Sequence, residues 1–305
     1  MELEKIVVVK KATRLEELLK RHATDSQVKF YLESRGESYG FYKNEHTAYI
    51  AGLQIVVGSI PNNVRSQIID RELLSTFQFS GKDVVVVVGD PGLFVNVAKY
   101  VGEQPVIVAN PDKERIDDVF TSCYADGFSQ LMKKTLEGKI KIEKLTMAEA
   151  RLDDGQVMYA LNDLFIGKDS HVSARYEISH LDRTEKQSSS GIIVSTGTGS
   201  TGWRTSVMVG ANAIAGVDYD GKNAVFPRDA DYLEFVVREP FPSKVTGTKI
   251  VYGKITKATP LKISSNMPTN GVIFSDGIEQ DYIEFNAGRT ATIRPSEKKV
   301  YLVKG

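Results

Sequence analysis

Residues Gly191 to Trp203 read GIIVSTGTGSTGW. An apolar run, Ile192, Ile193 and Val194, enters eight small residues, Ser195 to Gly202, of which three are glycine and five carry hydroxyls. Side chains this small let backbone amides come close to a ligand, and amides with hydroxyls can hold oxyanions without positive charge. The same composition also makes ordinary linkers. Direct entry from a β-branched strand, and closure by the sole Trp of the chain, favour a ligand loop. Gly197, Gly199 and Gly202 also fit G-x-G-x-x-G. The segment before Asp218 and Asp220, GANAIAGVDYD, is not a convincing strand, so a dinucleotide fingerprint here is read as a chance match.

Three further places carry chemistry. DVVVVVG at 83 to 89 runs into Asp90-Pro91-Gly92, which puts a carboxylate at the carboxyl end of a buried strand. Phosphoryl transfer needs an oriented hydroxyl, a carboxylate to position it or take its proton, and cations on the moving phosphate. Asp90 is the candidate catalytic carboxylate, with a favoured Asp-Pro-Gly turn as the equal alternative. Asn162 and Asp163 sit in ALNDLFIG, where an amide and a carboxylate suit a vicinal diol and a turn or bulge is the plain reading. Asp276-Gly277 in FSDG is a strong hairpin signal. Lys10, Lys11 and Arg14 read as a solvated charged loop before a phosphate contact. Trp203 reads as core before a stacking surface, and Cys123 as a buried thiol. The four His residues lie far apart and show no metal-ligand spacing, so no metal ligands are assigned. There is no G-x-x-x-x-G-K-[ST].

The elements that must position these groups fall into two textures. Ile6 to Val9 suits a buried strand, and Thr13 with Glu16 forms a capping box for a helix over RLEELLKRH. A second helix capped by Thr24 or Asp25, a third over 46 to 60, and strands at 64 to 69, 83 to 89 and 105 to 109 follow. Strand, Gly turn, helix, strand is a βαβ unit, so the first part reads as a doubly wound parallel-sheet domain. From about Asp126 period-two runs with short turns take over, predicting an antiparallel β-rich sandwich domain. The boundaries are 1–125 and 126–305, with the last residues free to pack back on the first domain. TEKQSSSG at 184 to 191 reads as a mobile loop.

The 305 residues hold 39 Lys+Arg and 39 Asp+Glu, so no bulk charge favours nucleic acid. One Cys excludes an internal disulfide, and no apolar run nears the ~20 residues that span a bilayer. With no signal-peptide pattern in MELEKIVVVKK, a cytoplasmic protein without membrane or nucleic-acid partners is expected.

The order of these pieces resembles the NAD kinase family. That family has a GGDGT motif after a buried strand, an N-E or N-D pair opening a β-rich domain, a T-G-S-T loop and a late D-G turn. Here VVVVVGDPGLF, ALNDLFIG, VSTGTGSTGW and FSDG stand in that order, over roughly residues 83 to 303. STGTGSTGW looks most like a divergent branch labelled sugar kinase or mitochondrial-type NAD kinase. The resemblance implies an ATP- and Mg²⁺-dependent phosphotransferase acting on NAD or a related nucleotide or sugar, and a homodimer or homotetramer. It implies nucleotide contacts from Gly89, Gly92, Asn162, Asp163, Thr196, Thr198, Gly199, Ser200, Thr201 and Asp276, beside Asp90. The chain departs from the pattern at GDPGL, where an ungapped match puts Pro91 at the motif Asp and a one-residue slip lets Asp90 serve. NPDKERID at 110 to 117 keeps little of the family's next Gly-rich turn. A relative that holds a nucleotide without efficient transfer is the alternative.

Overall fold

The structure is a computed structural model that describes residues 3–219, 221 and 225–305. The chain divides into two compact units, residues 1–143 with 300–305, and residues 144–299.

The first unit opens with β1 (Ile6–Lys10), whose apolar residues are fully buried. Thr13 caps α1 (Arg14–His22) in the expected reciprocal pair, with the Glu16 carboxylate accepting from Thr13 N–H at 2.7 Å. α2 (Asp25–Glu33), capped by Thr24, and α3 (Tyr39–Gly58) follow. α3 starts well before His46 because the Ser38 hydroxyl accepts from Phe41 N–H. Then come β2 (Ser66–Asp70), β3 (Val84–Val88), α4 (Pro91–Ala98), β4 (Pro105–Asn110), β5 (Cys123–Tyr124) and α5 (Phe128–Leu136). The strands are parallel in the order β2-β1-β3-β4, and all five valines of β3 are fully buried. The chain leaves β1 to one side for β2 and crosses to the other side for β3. The topological switch point, where open α/β sheets bind ligands, therefore lies between β1 and β3. The Cys123 thiol is half-buried rather than enclosed, and burial pushes its pKa up to about 12.

The change of texture at residue 126 precedes the change of unit at 143/144. Phe128, Leu131 and Met132 lie on one face of α5 and join Ile6, Val84, Val86, Ile107 and Val303 in a common core. The helix therefore belongs with the first unit, and its apolar stripe is what holds it there.

β6 (Lys141–Leu152) leads into the second unit, which continues with β7 (Val157–Ala160), β8 (Asp163–Lys168), β9 (Ala174–His180), β10 (Arg183–Ser189) and β11 (Ile192–Ser195). After α6 (Trp203–Ile214) come β12 (Leu233–Val237), β13 (Tyr252–Ile255), β14 (Leu261–Ser265), β15 (Gly271–Ser275), β16 (Ile278–Glu284) and β17 (Thr290–Lys304), whose residues from 300 on belong to the first unit. One antiparallel sheet runs β13-β12-β11-β8-β15-β16. A second layer holds β10-β9-β14-β17 with the β6–β7 pair. Leu164, Ile166, Phe235 and Ile273 of the first layer pack with Ala148, Tyr176, Ile178, Ile263 and Ile293 of the second in one core. The fold is thus α/β, with a parallel-sheet unit and an antiparallel sandwich.

One local expectation is corrected. The Ser-rich stretch at 184–191 is mostly β10, paired residue for residue with β9. Its polar side chains are satisfied inside: Tyr176 Oη meets Gln187 Oε1 at 3.0 Å and Ser189 Oγ at 2.6 Å, and Gln187 Nε2 donates to Ile250 O. β17 is the longest strand and runs without a break through Pro295.

Candidate active site

In the second unit three segments far apart in sequence are tied into one polar turn. β7 ends at Ala160 and β8 begins at Asp163, which leaves Leu161 and Asn162 as the connection. The Asp276 carboxylate accepts from the backbone N–H groups of Leu161, Asn162 and Asp163 at 3.2, 2.7 and 3.3 Å. Asp276 N–H donates back to Asp163 O at 2.9 Å. Asp276 and Gly277 have φ of 58° and 72°, the left-handed pair of a tight hairpin between β15 and β16. The turn thus aims the Asp276 carboxylate at the Asn162–Asp163 backbone. Both of its oxygens accept backbone bonds there, so Asp276 holds the shape of the turn.

The glycine–hydroxyl loop closes on the same turn. Thr196 N–H donates to Asn162 O at 2.9 Å, and Thr196 Oγ1 donates to Leu161 O at 2.5 Å while accepting from Gly199 N–H. Ser200 Oγ is turned inward to Gly197 O at 2.7 Å. A Cβ on Gly199 would lie 2.2 Å from Asn162 O, and one on Gly197 would lie 1.9 Å from Pro227 O, so the backbone reaches these places only as glycine. Thr198 Oγ1 is buried and has no hydrogen-bond partner among the described residues. Thr201 is exposed at the end of the loop. β11, which feeds the loop, is antiparallel to both its neighbours, so Gly197-x-Gly199-x-x-Gly202 opens no βαβ unit.

Asp163 accepts a hydrogen bond from Ser195 Oγ, its cross-strand partner. Burial pushes its pKa up to about 7, and neighbouring Asp276 adds to this, against the Ser195 bond and the charge of Arg204. Sequence reasoning missed Arg204. It stands in the first turn of α6, where a cation opposes the helix dipole, and it is only 3% exposed. It is held by an ion pair with Glu234 and by Tyr252 Oη at 3.4 Å. A lone Arg following the loop was the available signal, since burying it demands a partner.

In the first unit Asp90 stands at the carboxyl end of β3, at the switch point. Its Oδ1 accepts from Leu93 N–H at 2.9 Å as the N-cap of α4, with Pro91 as the first helical residue. Its Oδ2 is paired with Lys11 Nζ. Asp-Pro-Gly thus opens a helix rather than an isolated turn, with the Asp90 carboxylate divided between the cap and the ion pair. Gly89 and Gly92 flank it. A cavity of about 320 Å³ beside it is lined by Lys11, Arg14, Tyr49, Asp90, Asp112 and Arg115, among others. Lys10 and Lys11 are half-buried and Arg14 is exposed, and the three pair with Asp70, Asp90 and Glu45. Tyr49 Oη donates to Val88 O and accepts from Lys11 N–H, which fixes the ends of β1 and β3 together. Arg115, from the NPDKERID turn, pairs with Asp112 at 2.8 Å. Among the described residues no three His, Cys, Asp or Glu groups gather into a metal-holding cluster, and no helix is long and apolar enough to cross a membrane.

The fold is that of the NAD kinases. A yeast NADH kinase complexed with NADH superposes with a TM-score of 0.63 at 13% identity, covering 100% of this chain and 84% of that one. An NAD kinase from Archaeoglobus fulgidus in complex with ATP gives 0.57 at 17% identity, covering 98% and 93%. In sequence the chain is 24% identical to NAD kinase 2, mitochondrial, of Rattus norvegicus and of Homo sapiens over 290 residues. These alignments take in 77% of this chain and 68% and 66% of the two relatives, so about two thirds of their length is spanned. No protein-family model matches the chain. The resemblance to the NAD kinase family, read from the order of four motifs, is borne out by both comparisons.

Proposed function

We propose that the protein transfers the terminal phosphoryl group of ATP to a hydroxyl of NAD or of a related nucleotide or sugar. The observation that carries the reading is the convergence of the Asn162–Asp163 turn, the Ser195–Gly202 loop and Asp276 into one bonded unit on this fold. An NADH complex and an ATP complex of proteins with the same fold support a nucleotide in both substrate roles. Asn162 and Asp163 hold the vicinal hydroxyls of the acceptor ribose, and Thr198 Oγ1 and the loop amides meet its phosphates. The acceptor O–H bond and the bond from the terminal phosphorus to its bridging oxygen break. A new P–O bond forms to the acceptor, the proton passes to solvent, and ADP leaves, with Asp90 proposed from its place after β3 as the carboxylate that assists. Mg²⁺, when bound with the nucleotide, would supply positive charge to the transferring phosphate, and no residue of this chain is assigned to it.

The test is incubation with ATP, Mg²⁺ and NAD, with NADP read by a NADP-specific dehydrogenase, followed by a panel of nucleosides and sugars. NADP or another phosphorylated product establishes the reading, and none from the whole panel overturns it. The second reading, a nucleotide-binding relative without efficient transfer, is favoured by Asp90 serving as the α4 cap and being paired with Lys11. Turnover that Asp90→Asn abolishes rules it out. A homodimer or homotetramer and a cytoplasmic setting remain part of the proposal, while the printed names of the two sequence relatives are mitochondrial. Sedimentation at several protein concentrations settles the first.

A further inference from the structure

Arg204 is a buried cation that the transfer proposed above does not use. It follows the glycine–hydroxyl loop in the first turn of α6, and its side chain is 4% exposed. A buried Arg–Glu pair adds little to stability over an apolar filling of the same space, because both ions give up their hydration. The register of the six-stranded sheet shows another use for the charge.

Asp163, Ser195, Glu234 and Lys254 are successive cross-strand partners on β8, β11, β12 and β13. They share one face because directly opposed residues of an antiparallel pair do. α6 packs against β11 and β12 and brings Arg204 to Glu234. Just before the helix the chain passes over Asp163, since a Cβ on Gly202 would lie 3.8 Å from Asp163 Oδ2. At the far end of the row Lys254 Nζ lies over the Tyr232 ring, 3.4 Å from its centre.

The acidic groups around the guanidinium are unequally served. Asp276 accepts from three backbone N–H groups. Glu234 accepts from Arg204 and from Tyr252 Oη at 2.9 Å. Asp163 accepts from the Ser195 hydroxyl. With three carboxylates and one guanidinium in the row and its turn, a proton settles on the carboxylate with the fewest donors, which is Asp163. Burial favours its neutral form, the Ser195 bond opposes this, Asp276 adds to it and Arg204 works against it.

We propose that Arg204 is a positioning residue for the acceptor: its charge, shared between Glu234 and Asp163, holds the Asp163 carboxylate ionised, so that both oxygens accept from a vicinal diol. Arg204 acts through Asp163 and meets no ligand itself. The inference rests on the acceptor role given to Asp163 above. The ion pair, the row and the unequal donors do not depend on it.

The test reads the protonation of Asp163 directly. The full-length protein carries aspartate labelled with carbon-13 at its side-chain carboxyl, and the Asp163 resonance is identified by its loss in Asp163→Asn. Its midpoint is followed between about pH 5 and 9 without ligand. Arg204→Met should raise the midpoint by about one pH unit, and Arg204→Lys should restore it. Glu234→Gln keeps the shape of the pair and leaves Arg204 less neutralised, so it should lower the midpoint. Opposite shifts from the two members of one ion pair are not expected of a packing role. The KM for NAD, or its dissociation constant where there is no turnover, should fall as pH rises through each midpoint and change more than kcat does. Midpoints that stay in place, or that move the same way in Arg204→Met and Glu234→Gln, overturn the proposal. If Arg204→Met does not fold, a midpoint unmoved in Glu234→Gln overturns it alone. Shifted midpoints without any phosphorylated product remove the kinase reading and leave the control of Asp163 by Arg204. Phosphorylation with unmoved midpoints does the reverse.

Discussion

The two regions that hold candidate site residues use their carboxylates in opposite ways. In the second unit Asp276 gives both oxygens to backbone N–H groups, so a charged side chain acts as the scaffold of the Asn162–Asp163 turn. In the first unit Asp90 gives one oxygen to the α4 amide and leaves the other in an ion pair with Lys11 at the edge of a cavity. One carboxylate is spent on shape, and the other can exchange its partner when a ligand arrives. A charge-assisted bond to backbone is fixed by the fold, while a half-exposed ion pair contributes little to stability and is easily replaced. Chemistry is therefore expected at Asp90 and geometry at Asp276.

The largest effect falls on turnover at Asp90. Asn keeps a good helix cap, so Asp90→Asn should leave the melting temperature almost unchanged while removing about 10³-fold in kcat, as loss of a proton acceptor does. Equal losses in stability and rate would make Asp90 a cap and nothing more. Next is Asp276→Ala, which takes the acceptor from three N–H groups and should cost about 3 kcal/mol in a denaturant titration. Nucleotide affinity should fall with it, although Asp276 touches no ligand in this reading. Rescue of stability without rescue of affinity in Asp276→Asn would return Asp276 to the ligand-contacting set. Gly199→Ala comes third. The methyl meets the Asn162 carbonyl, so the loop must withdraw at about 2 kcal/mol or more, and isothermal titration should show weakened nucleotide binding. Gly210→Ala, at an exposed helical glycine with open space around it, is the comparison without a clash.

Much of the frame was legible because it rests on local rules. The Thr13–Glu16 capping box, the double-faced burial of β3 and the Asp276-Gly277 turn each follow from a few adjacent residues. The order of the motifs pointed to Asn162, Thr196 and Asp276. What each does was hidden, because the bonds join distant residues, 35 positions apart for Thr196 and Leu161 and 113 to 115 for Asp276 and the turn. Composition misled where polar groups find partners across strands. The Ser-rich stretch became β10 through Tyr176 and Gln187, and Lys11 and Arg14 found carboxylates on other elements. The boundary at 125/126 followed the end of the βαβ texture, whereas α5 keeps its apolar face on the first core.

A last test separates the regions by pH. Asp163 titrates at about 7 in the folded protein, chiefly because it is buried, and an Asp in the unfolded chain titrates near 3.9. Folding therefore takes up a proton between those values. The contribution of this group to stability is full in acid and is lost as pH rises through about 7. Asp163→Asn, which stays neutral, should flatten the fall in melting temperature between pH 5 and 8, while Asp90→Asn should leave it in place. The protonated carboxyl can donate to a ribose oxygen and the ionised one can only accept, so nucleotide affinity should change across the same range in the parent protein and not in Asp163→Asn. If the pH dependence of affinity instead survives in Asp163→Asn, the titrating group lies outside the polar turn, and the contrast between a fixed and an exchangeable carboxylate must be redrawn around it.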